Sequence, residues 1–145
     1  MEKRQKVCVT GITGFVGSWV CKYLLEDDIY DVRGTVRDKN NQQKLEPLKE
    51  EYGQHWDRLE IFEADLLDSD SLFAAVEGCK FVIHVASPVP LSEPNDENEV
   101  IAPAVEGTKT IVKACQNANV TRLIVTSSCS VIEDFTNEVS HEDSI

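Results

Sequence analysis

The sequence predicts an α/β fold in which a parallel sheet of about five strands is covered by helices on both faces. Short apolar runs rich in β-branched residues alternate with amphipathic runs, and together they give the order βαβαβαβαβ. The fourth apolar run, KFVIHVA, is hydrophobic at nearly every position, which is typical of a strand buried on both sides. Parallel neighbours need crossover connections, and right-handed crossovers through helices cover both faces of the sheet.

Five short runs have the β-branched and aromatic composition of strands. They are Lys6 to Val9, Asp31 to Val36, Leu59 to Glu63, Phe81 to Val85 and Leu123 to Val125.

Helical periodicity is clearest after the first and fourth strands. One helix face is predicted from Val16, Trp19, Val20, Tyr23 and Leu24, and another from Val105, Thr108, Ile111, Val112 and Cys115. Two further helices are predicted over Lys39 to Tyr52 and Ser69 to Val76, the second with Ser69 or Ser71 as its cap. The proline-rich stretch from Ser87 to Asn98 and the acidic tail from Glu133 are predicted to be loops.

The composition limits the class of protein and its partners. A length of 145 residues with 41% hydrophobic content suits one domain. Fourteen basic and 26 acidic residues give a formal charge of −12, which disfavours nucleic acid and anionic membrane surfaces as partners. The N-terminus, MEKRQK, leads into a strand without an apolar stretch that could be a signal peptide or membrane span, so we expect a cytoplasmic protein.

The cysteine pattern also indicates a reducing compartment. The five cysteines form no CxxC pair and lie mostly in apolar runs, so we predict buried thiols rather than a disulfide or metal site. They are Cys8, Cys21, Cys79, Cys115 and Cys129.

A glycine-rich segment, VTGITGFVGSWV, joins the first predicted strand to the first predicted helix. A strand, the pattern TGxxGxxG and a helix form the arrangement in which a dinucleotide pyrophosphate rests on a helix N-terminus. Gly11 then permits the tight turn, Gly14 the close approach of phosphate to backbone, and Gly17 the close packing of helix on strand. The N–H groups near Phe15 and Val16 would bind the phosphate oxygens. The alternative is a tight turn with nothing bound.

The second predicted strand ends at TVRDKN, about twenty residues beyond the last glycine, where the adenosine ribose of a dinucleotide is expected. Arg37 comes first there, and Asp38, Lys39 and Lys44 follow. An arginine suits the 2′-phosphate of NADP through a planar bidentate contact, whereas an acid bonds the 2′-hydroxyl of NAD. The sequence therefore predicts NADP. There are two alternatives: the site binds NAD through Asp38, or Arg37 and Asp38 are only a solvated strand end.

Several motifs along the chain resemble the N-terminal half of the extended short-chain dehydrogenase/reductases. They are VTGITGFVGSWV, GTVRDKNNQQK, EADLLDSDSL, VIHVASPV, IAPAVEGTKTIVKAC and RLIVTSSCS. The chain most resembles the group of dihydroflavonol, cinnamoyl-CoA and aldehyde or ketone reductases, over nearly all 145 residues. The resemblance implies an NAD(P)-binding Rossmann domain over residues 1–145. It also implies an NADP-dependent reduction of a small-molecule carbonyl, an aldehyde or ketone, to an alcohol.

The resemblance also implies roles for individual residues. Arg37 and Lys44 match residues that hold the 2′-phosphate, the pair Asp65 and Leu66 matches residues beside the adenine, and Val85 to Ser87 matches the segment under the ribose and nicotinamide. The catalytic serine of the family is matched to Ser128, with Ser127 as the alternative. The candidate cofactor site comprises Gly11, Thr13, Gly14, Phe15, Val16, Gly17, Arg37, Lys44, Asp65, Leu66, Val85, Ala86, Ser87, Thr126 and Ser127, with Ser128 as the candidate catalytic residue and no metal ligand.

Other interpretations of single residues come from their place along the chain. Asp65 follows the third predicted strand at the carboxyl edge of the sheet, where ligands of open α/β folds bind, but it could instead cap the next helix. His84 lies inside an apolar run and is interpreted as a packed histidine rather than a base.

One part of the family pattern is absent from this sequence. In the family, the serine acts with a YxxxK pair that lies a few tens of residues further along. Here no tyrosine follows Tyr52 and no lysine follows Lys113. We therefore expect a truncated or fragmentary chain, inactive alone and without the C-terminal substrate part of the family. A fragment of a sugar-nucleotide epimerase or dehydratase, and a non-catalytic nucleotide-binding or interaction module, are the competing interpretations.

Overall fold

The computed structural model describes residues 4–89 and 94–129. In these residues five β-strands and four α-helices alternate, as the sequence predicts. In chain order they are β1 (Gln5–Thr10), α1 (Phe15–Glu26), β2 (Tyr30–Val36), α2 (Gln42–Tyr52), β3 (Leu59–Glu63), α3 (Ser69–Val76), β4 (Phe81–His84), α4 (Asn98–Asn117) and β5 (Arg122–Val125), with a 3-10 helix over Gly53–Arg58 between α2 and β3.

The five strands form one parallel sheet in the order β3-β2-β1-β4-β5. In this register Val9 of β1 pairs with Gly34 of β2 on one side and with Ile83 of β4 on the other. The strand order reverses direction at β1, so the carboxyl ends of β1 and β4 flank a topological switch point, where ligands of such sheets bind. The predicted fold class is confirmed.

Two apolar layers cover the sheet. Val7 and Val9 of β1 pack with α1 and α2, whereas Cys8, between them, packs with α3 and α4. This alternation follows from the two-residue period of a strand, and it explains why the central strands are apolar at successive positions. On the side of α1, an apolar groove of about 180 Å³ lies against β4 and β5 and includes Phe81 and Ile124.

The buried face of α1 differs from the predicted one. Gly17, Cys21 and Leu25 are its buried residues, whereas Trp19 and Tyr23 are exposed, as is Val16. The reason is the close approach of the helix to the turn before it. A Cβ on Gly17 would lie 2.3 Å from the carbonyl oxygen of Gly11, so glycine is needed there, and the stripe through Gly17, Cys21 and Leu25 faces the sheet. Val20 and Leu24 pack partly against the same core.

On α4 the predicted face is also only partly buried. Ile111 and Cys115 belong to the core, but Val105 and Val112 are exposed. The buried stripe of α4 runs through Gly107, Ile111, Ala114 and Cys115, and Val105 and Val112 lie beside it.

One predicted helix cap and one predicted helix start are wrong. The cap of α3 is Asp68, whose carboxylate accepts the N–H of Ser71, and not Ser69 or Ser71. Helix α2 begins at Gln42 rather than at Lys39. The residues before it form a turn in which the Asp38 carboxylate accepts the N–H of Asn40. In both places an Asp or Asn side chain replaces a missing backbone partner, which defines the boundary.

Four of the five cysteines are buried as predicted, but Cys129 is exposed because it lies beyond the end of β5. Part of the predicted loop from Ser87 to Asn98 and the acidic tail from Glu133 lie outside the described residues. Among residues 4–89 and 94–129, no helix is long and apolar enough to cross a membrane.

Candidate cofactor site at the switch point

The glycine turn connects β1 to α1 at the switch point. Gly11 has a φ of +74°, which a residue with a side chain rarely adopts, and its N–H donates to Thr35 Oγ1 at 3.1 Å. Gly14 stands at the N-cap of α1, and its N–H donates to the Gly11 carbonyl at 3.0 Å. The first N–H groups of an α-helix have no hydrogen-bond acceptor within the helix. In α1 these include the N–H groups of Phe15 and Val16, two exposed residues at its N-terminal end.

The three glycines meet different surroundings. Gly11 packs against the segment after β4, where a Cβ would lie 3.0 Å from the Ala86 Cα. Gly17 has no room for a side chain, because the Gly11 carbonyl lies directly against it. A Cβ on Gly14 would meet only the Gly11 carbonyl oxygen, at 3.4 Å, which is an ordinary contact. The fold itself therefore leaves room for a side chain at Gly14, on the open side of the turn.

A cavity of about 260 Å³ lies beside this turn, at the end of β2. Arg37 and Lys44 both line it, although they are seven positions apart, and Thr13 of the glycine turn lines it as well. The structure thus brings together three residues predicted for the cofactor site. The carboxylate of Asp38 accepts the N–H of Asn40 within its own turn, so one of its oxygens already has a hydrogen-bond partner in the protein.

The lining also includes Asp38, the residue of the NAD alternative, and Asn41, which the sequence analysis did not select. The Asn41 side-chain oxygen accepts the N–H of Lys44 at 3.3 Å and caps α2. A helix-capping Asn three residues before a lysine could have indicated that α2 begins at this edge, with the lysine in its first turn.

A buried network joins the end of β4 to the end of β1. Thr10 Oγ1 accepts the N–H groups of Val85 and Ala86, each at 3.0 Å, and lies 2.8 Å from Nδ1 of His84. Because both N–H groups already point at the Thr10 oxygen, its own proton is the one available for His84 Nδ1. Burial lowers the pKa of His84, which favours the neutral ring needed to accept that proton. His84 is therefore a packed histidine, as interpreted from the sequence.

The same network extends to β5. The His84 carbonyl accepts the N–H of Thr126 at 3.0 Å and its hydroxyl at 3.1 Å. Ser127 and Ser128 follow at the same edge of the sheet, both exposed, and Ser87 is exposed at the end of the neighbouring strand. The structure thus places these predicted residues on adjacent strands.

Asp65 and Leu66 follow β3 on the other side of the glycine turn. The Asp65 carboxylate accepts the N–H of Leu67 at 2.8 Å, within the turn before α3. It does not cap α3, because Asp68 does so. Leu66 packs against Gly107 of α4, where a Cβ would lie 2.9 Å from its side chain. Among residues 4–89 and 94–129, no group of three or more His, Cys, Asp or Glu residues could hold a metal ion.

Comparison with families and curated relatives gives consistent matches. The model of the NAD dependent epimerase/dehydratase family matches residues 7–145. Tetraketide alpha-pyrone reductase 1 of Arabidopsis thaliana is 40% identical over 148 residues, which cover 99% of this chain and 45% of that protein. Dihydroflavonol 4-reductase of Hordeum vulgare is 46% identical over 127 residues, which cover 87% of this chain and 35% of that protein.

Solved structures show the same architecture. Vestitone reductase from alfalfa (Medicago sativa L.) is 37% identical with a TM-score of 0.72, over 93% of this chain and 40% of that one. Yeast methylglyoxal/isovaleraldehyde reductase, in a crystal structure complexed with NADPH, is 27% identical with a TM-score of 0.78, over 92% of this chain and 40% of that one. The chain thus spans less than half the length of each of these relatives.

Proposed function

The chain belongs to the NAD dependent epimerase/dehydratase family, as its predicted resemblance to extended short-chain reductases implied, and on this premise we propose that it is the cofactor-binding part of an NADP-dependent carbonyl reductase. The substrate class is a small aldehyde or ketone, which is reduced to an alcohol. The relatives reported above carry the names of reductases, which favours this reaction over sugar-nucleotide epimerisation.

The observation that carries the proposal is the cavity shared by Thr13, Arg37 and Lys44 beside the glycine turn. Two exposed cations on separate elements, the end of β2 and the first turn of α2, line this cavity together with one acid, Asp38, whose carboxylate accepts a backbone N–H. Two cations and one acid give the lining a positive excess in a chain whose formal charge is −12, which suits a local anion. The 2′-phosphate distinguishes NADP from NAD, so this cavity supports NADP.

The glycine turn fits the rest of the cofactor. The open space beside Gly14 and the N–H groups at the start of α1 suit a pyrophosphate, since backbone donors at a helix N-terminus favour an anion. Val85 and Ala86, held by Thr10, would lie under the ribose and the nicotinamide.

The proposed chemistry divides between cofactor and protein. When bound, NADPH supplies the hydride. Ser128, or Ser127 beside it, would donate a hydrogen bond to the carbonyl oxygen of the substrate and orient it. The tyrosine and lysine that deliver the proton in the family have no counterpart after Ser128 in these 145 residues. We propose a cytoplasmic location because the five cysteines are free thiols, as suits a reducing compartment.

Cofactor preference is tested by substituting the arginine. We expect Arg37→Ala to weaken NADPH binding by about 1.5–3 kcal/mol, the range for a hydrogen bond to a charged group, or roughly 10- to 150-fold in Kd. NADH binding should change little, because NADH lacks the 2′-phosphate. Isothermal titration calorimetry with both cofactors measures the two losses.

Lys49→Ala is the matched control, because Lys49 is an exposed cation of α2 that does not line the cavity. It should leave both affinities unchanged. Equal losses for NADPH and NADH in Arg37→Ala would contradict the NADP assignment and favour the contact of Asp38 with NAD. Failure of the unaltered chain to bind either cofactor would contradict the proposed function.

A further inference from the structure

Three buried polar side chains form a row across the sheet at the switch point. Thr10 is the last residue of β1 and pairs with His84, the last residue of β4. Thr35 of β2 follows Gly34, the register partner of Val9, so Thr35 lies beside Thr10. The three residues Thr10, His84 and Thr35 are 1%, 3% and 4% exposed. Because burial of a polar group is costly without a hydrogen bond, the partners of these side chains show what the row holds in place.

The two threonines bind the backbone of loops that follow the neighbouring strands. Thr35 Oγ1, on β2, accepts the N–H of Gly11 at 3.1 Å, in the turn after β1. Thr10 Oγ1, on β1, accepts the N–H groups of Val85 and Ala86, each at 3.0 Å, in the segment after β4. Each hydroxyl therefore fixes the loop of the next strand relative to its own strand.

His84 fixes the orientation of the Thr10 hydroxyl. Since the Thr10 oxygen accepts two backbone N–H groups, its proton points to Nδ1 of His84, which lies at 2.8 Å. A valine at position 10 would keep the shape of threonine but would lose all three hydrogen bonds. The N–H groups of Val85 and Ala86 would then lack their acceptor, which favours a displaced segment after β4.

The two loops held by this row also contact each other. A Cβ on Gly11 would lie 3.0 Å from the Ala86 Cα and 3.1 Å from its Cβ, so no space separates the glycine turn from the segment after β4. The glycine turn is the part of the site proposed for the pyrophosphate, and the segment after β4 is the part proposed for the ribose and nicotinamide. Hydrogen bonds to Thr35 and Thr10 thus set the relative position of these two parts.

We propose that Thr10 and His84 are positioning residues for the nicotinamide half of the cofactor and that Thr35 is a positioning residue for its phosphate half, an inference that rests on the proposed function. All three side chains are buried, so they act through the backbone of the loops they hold rather than by contact with the cofactor. A loop that is already in its binding conformation need not be ordered when the ligand binds, and this preserves affinity.

The test compares the binding of NADPH with that of 2′,5′-ADP, which carries the adenosine and two phosphates but no nicotinamide half. Calorimetry of the purified protein at its natural length measures both affinities. We expect Thr10→Val to weaken NADPH binding about tenfold or more and 2′,5′-ADP binding less than about twofold. Thr35→Val should weaken both ligands by the same factor, because both use the phosphate turn.

Conservative variants separate hydrogen bonding from packing. Thr10→Ser keeps the hydroxyl and should bind NADPH as the unaltered protein does. His84→Leu removes the acceptor of the Thr10 proton and should weaken NADPH more than 2′,5′-ADP, whereas His84→Asn, whose side-chain oxygen can replace Nδ1, should restore NADPH binding. Thr108→Val is the matched control, because the Thr108 hydroxyl donates to the Ala104 carbonyl at 2.7 Å within α4. It should leave both affinities unchanged.

The positioning role and the proposed function fail in different ways. If the unaltered protein binds neither ligand, the proposed function is contradicted and the positioning role with it. If the unaltered protein binds both ligands, but Thr10→Val weakens the two equally or leaves both unchanged, the positioning role alone is overturned. Where Thr10→Val does not fold, the same comparison with His84→Leu decides, since that variant removes one hydrogen bond of Thr10 rather than three.

Discussion

At the residue scale, the glycines of the turn separate the requirements of the fold from those of a ligand. At Gly17 the protein itself leaves no room for a side chain, since a Cβ there would lie 2.3 Å from the Gly11 carbonyl oxygen and 2.9 Å from the carbonyl carbon. Gly14 is different, since a Cβ there would lie within 4 Å of only one atom of the described residues, the Gly11 oxygen at 3.4 Å. Gly17 therefore serves the packing of α1 on β1, whereas the described residues leave space beside Gly14, which is the space proposed for the cofactor phosphate.

This difference predicts two distinct phenotypes. We expect Gly17→Ala to lower the free energy of unfolding by about 1–3 kcal/mol, as overpacking against backbone does. Gly14→Val should leave the free energy of unfolding nearly unchanged and abolish NADPH binding, because its side chain would occupy the space proposed for phosphate. Urea denaturation and calorimetry measure the two quantities. Normal NADPH binding by a folded Gly14→Val chain would show that the loop is only a turn.

The sequence predicts those site residues that lie close to a recognisable motif, and it misses those whose role depends on distant parts of the chain. Arg37 lies at the strand end where the ribose is expected, and the family resemblance implies the same site for Lys44, so their meeting at one cavity could be anticipated. Asn41 was missed because its capping of α2 depends on where the helix begins. Arg33 gave no signal, because its partners lie far along the chain in β3 and after α3.

At the scale of elements, Arg33 holds three of them together. Its Nη1 binds the last carbonyls of α3, including Ala75 at 2.8 Å, and its Nη2 pairs with Glu60 of β3. A cation at a helix C-terminus also complements the helix dipole. Helix α3 has only eight residues and no basic residue in its last turn, so Arg33 supplies this charge from β2.

We therefore expect Arg33→Met to lower the free energy of unfolding by about 2–4 kcal/mol, because it leaves the carbonyls at the end of α3 without their donor and removes one of the two ion pairs of Glu60, whose other partner is Lys6. Arg4→Met is the matched control. Arg4 pairs with Asp28 at 2.7 Å, as close as Arg33 with Glu60, but its side chain is 42% exposed against 10% for Arg33. The control should cost about 0–1 kcal/mol. Equal losses in urea denaturation would show that burial of Arg33 is not what matters.

Element boundaries and faces were predicted less well than element types. The run Leu59–Glu63 and the helix Ser69–Val76 agree residue for residue, because each is bounded by a change in composition. The face of α1 was misjudged because periodicity identifies large apolar residues, whereas the close contact at Gly17 turns the stripe through Gly17, Cys21 and Leu25 towards the sheet. Close approach of backbone is a tertiary property, and hydrophobic spacing does not encode it.

At the scale of the molecule, the topology gathers the candidate site. The carboxyl ends of β1 and β4 flank the switch point, and the end of β5 lies next to that of β4. The glycine turn, Val85, Ala86 and the serines after β5 therefore share one edge. Alternation of strands and helices predicts a parallel sheet. It does not determine that the fourth strand joins β1 rather than β3, which depends on how the helices pack.

The arrangement of the site also predicts the activity of these 145 residues on their own. We expect them to bind NADPH but not to reduce aldehydes or ketones. Ser128 is present, but no tyrosine follows Tyr52 and no lysine follows Lys113, so the proton donor of the family is absent from them. Loss of proton transfer costs roughly 10²–10⁴-fold in rate. Loss of substrate orientation costs up to about 7–11 kcal/mol, which is the larger effect.

The measurement is NADPH oxidation by the 145-residue chain with a panel of aldehydes and ketones. Gly14→Val, which should not bind cofactor, gives the background rate. The unaltered chain should match that background even where calorimetry shows that it binds NADPH. A longer polypeptide that includes a downstream YxxxK should exceed it, because the tyrosine then delivers the proton to the alkoxide while the serine holds the carbonyl. Turnover by the 145 residues alone, abolished by Ser128→Ala, would show that a group within them donates the proton.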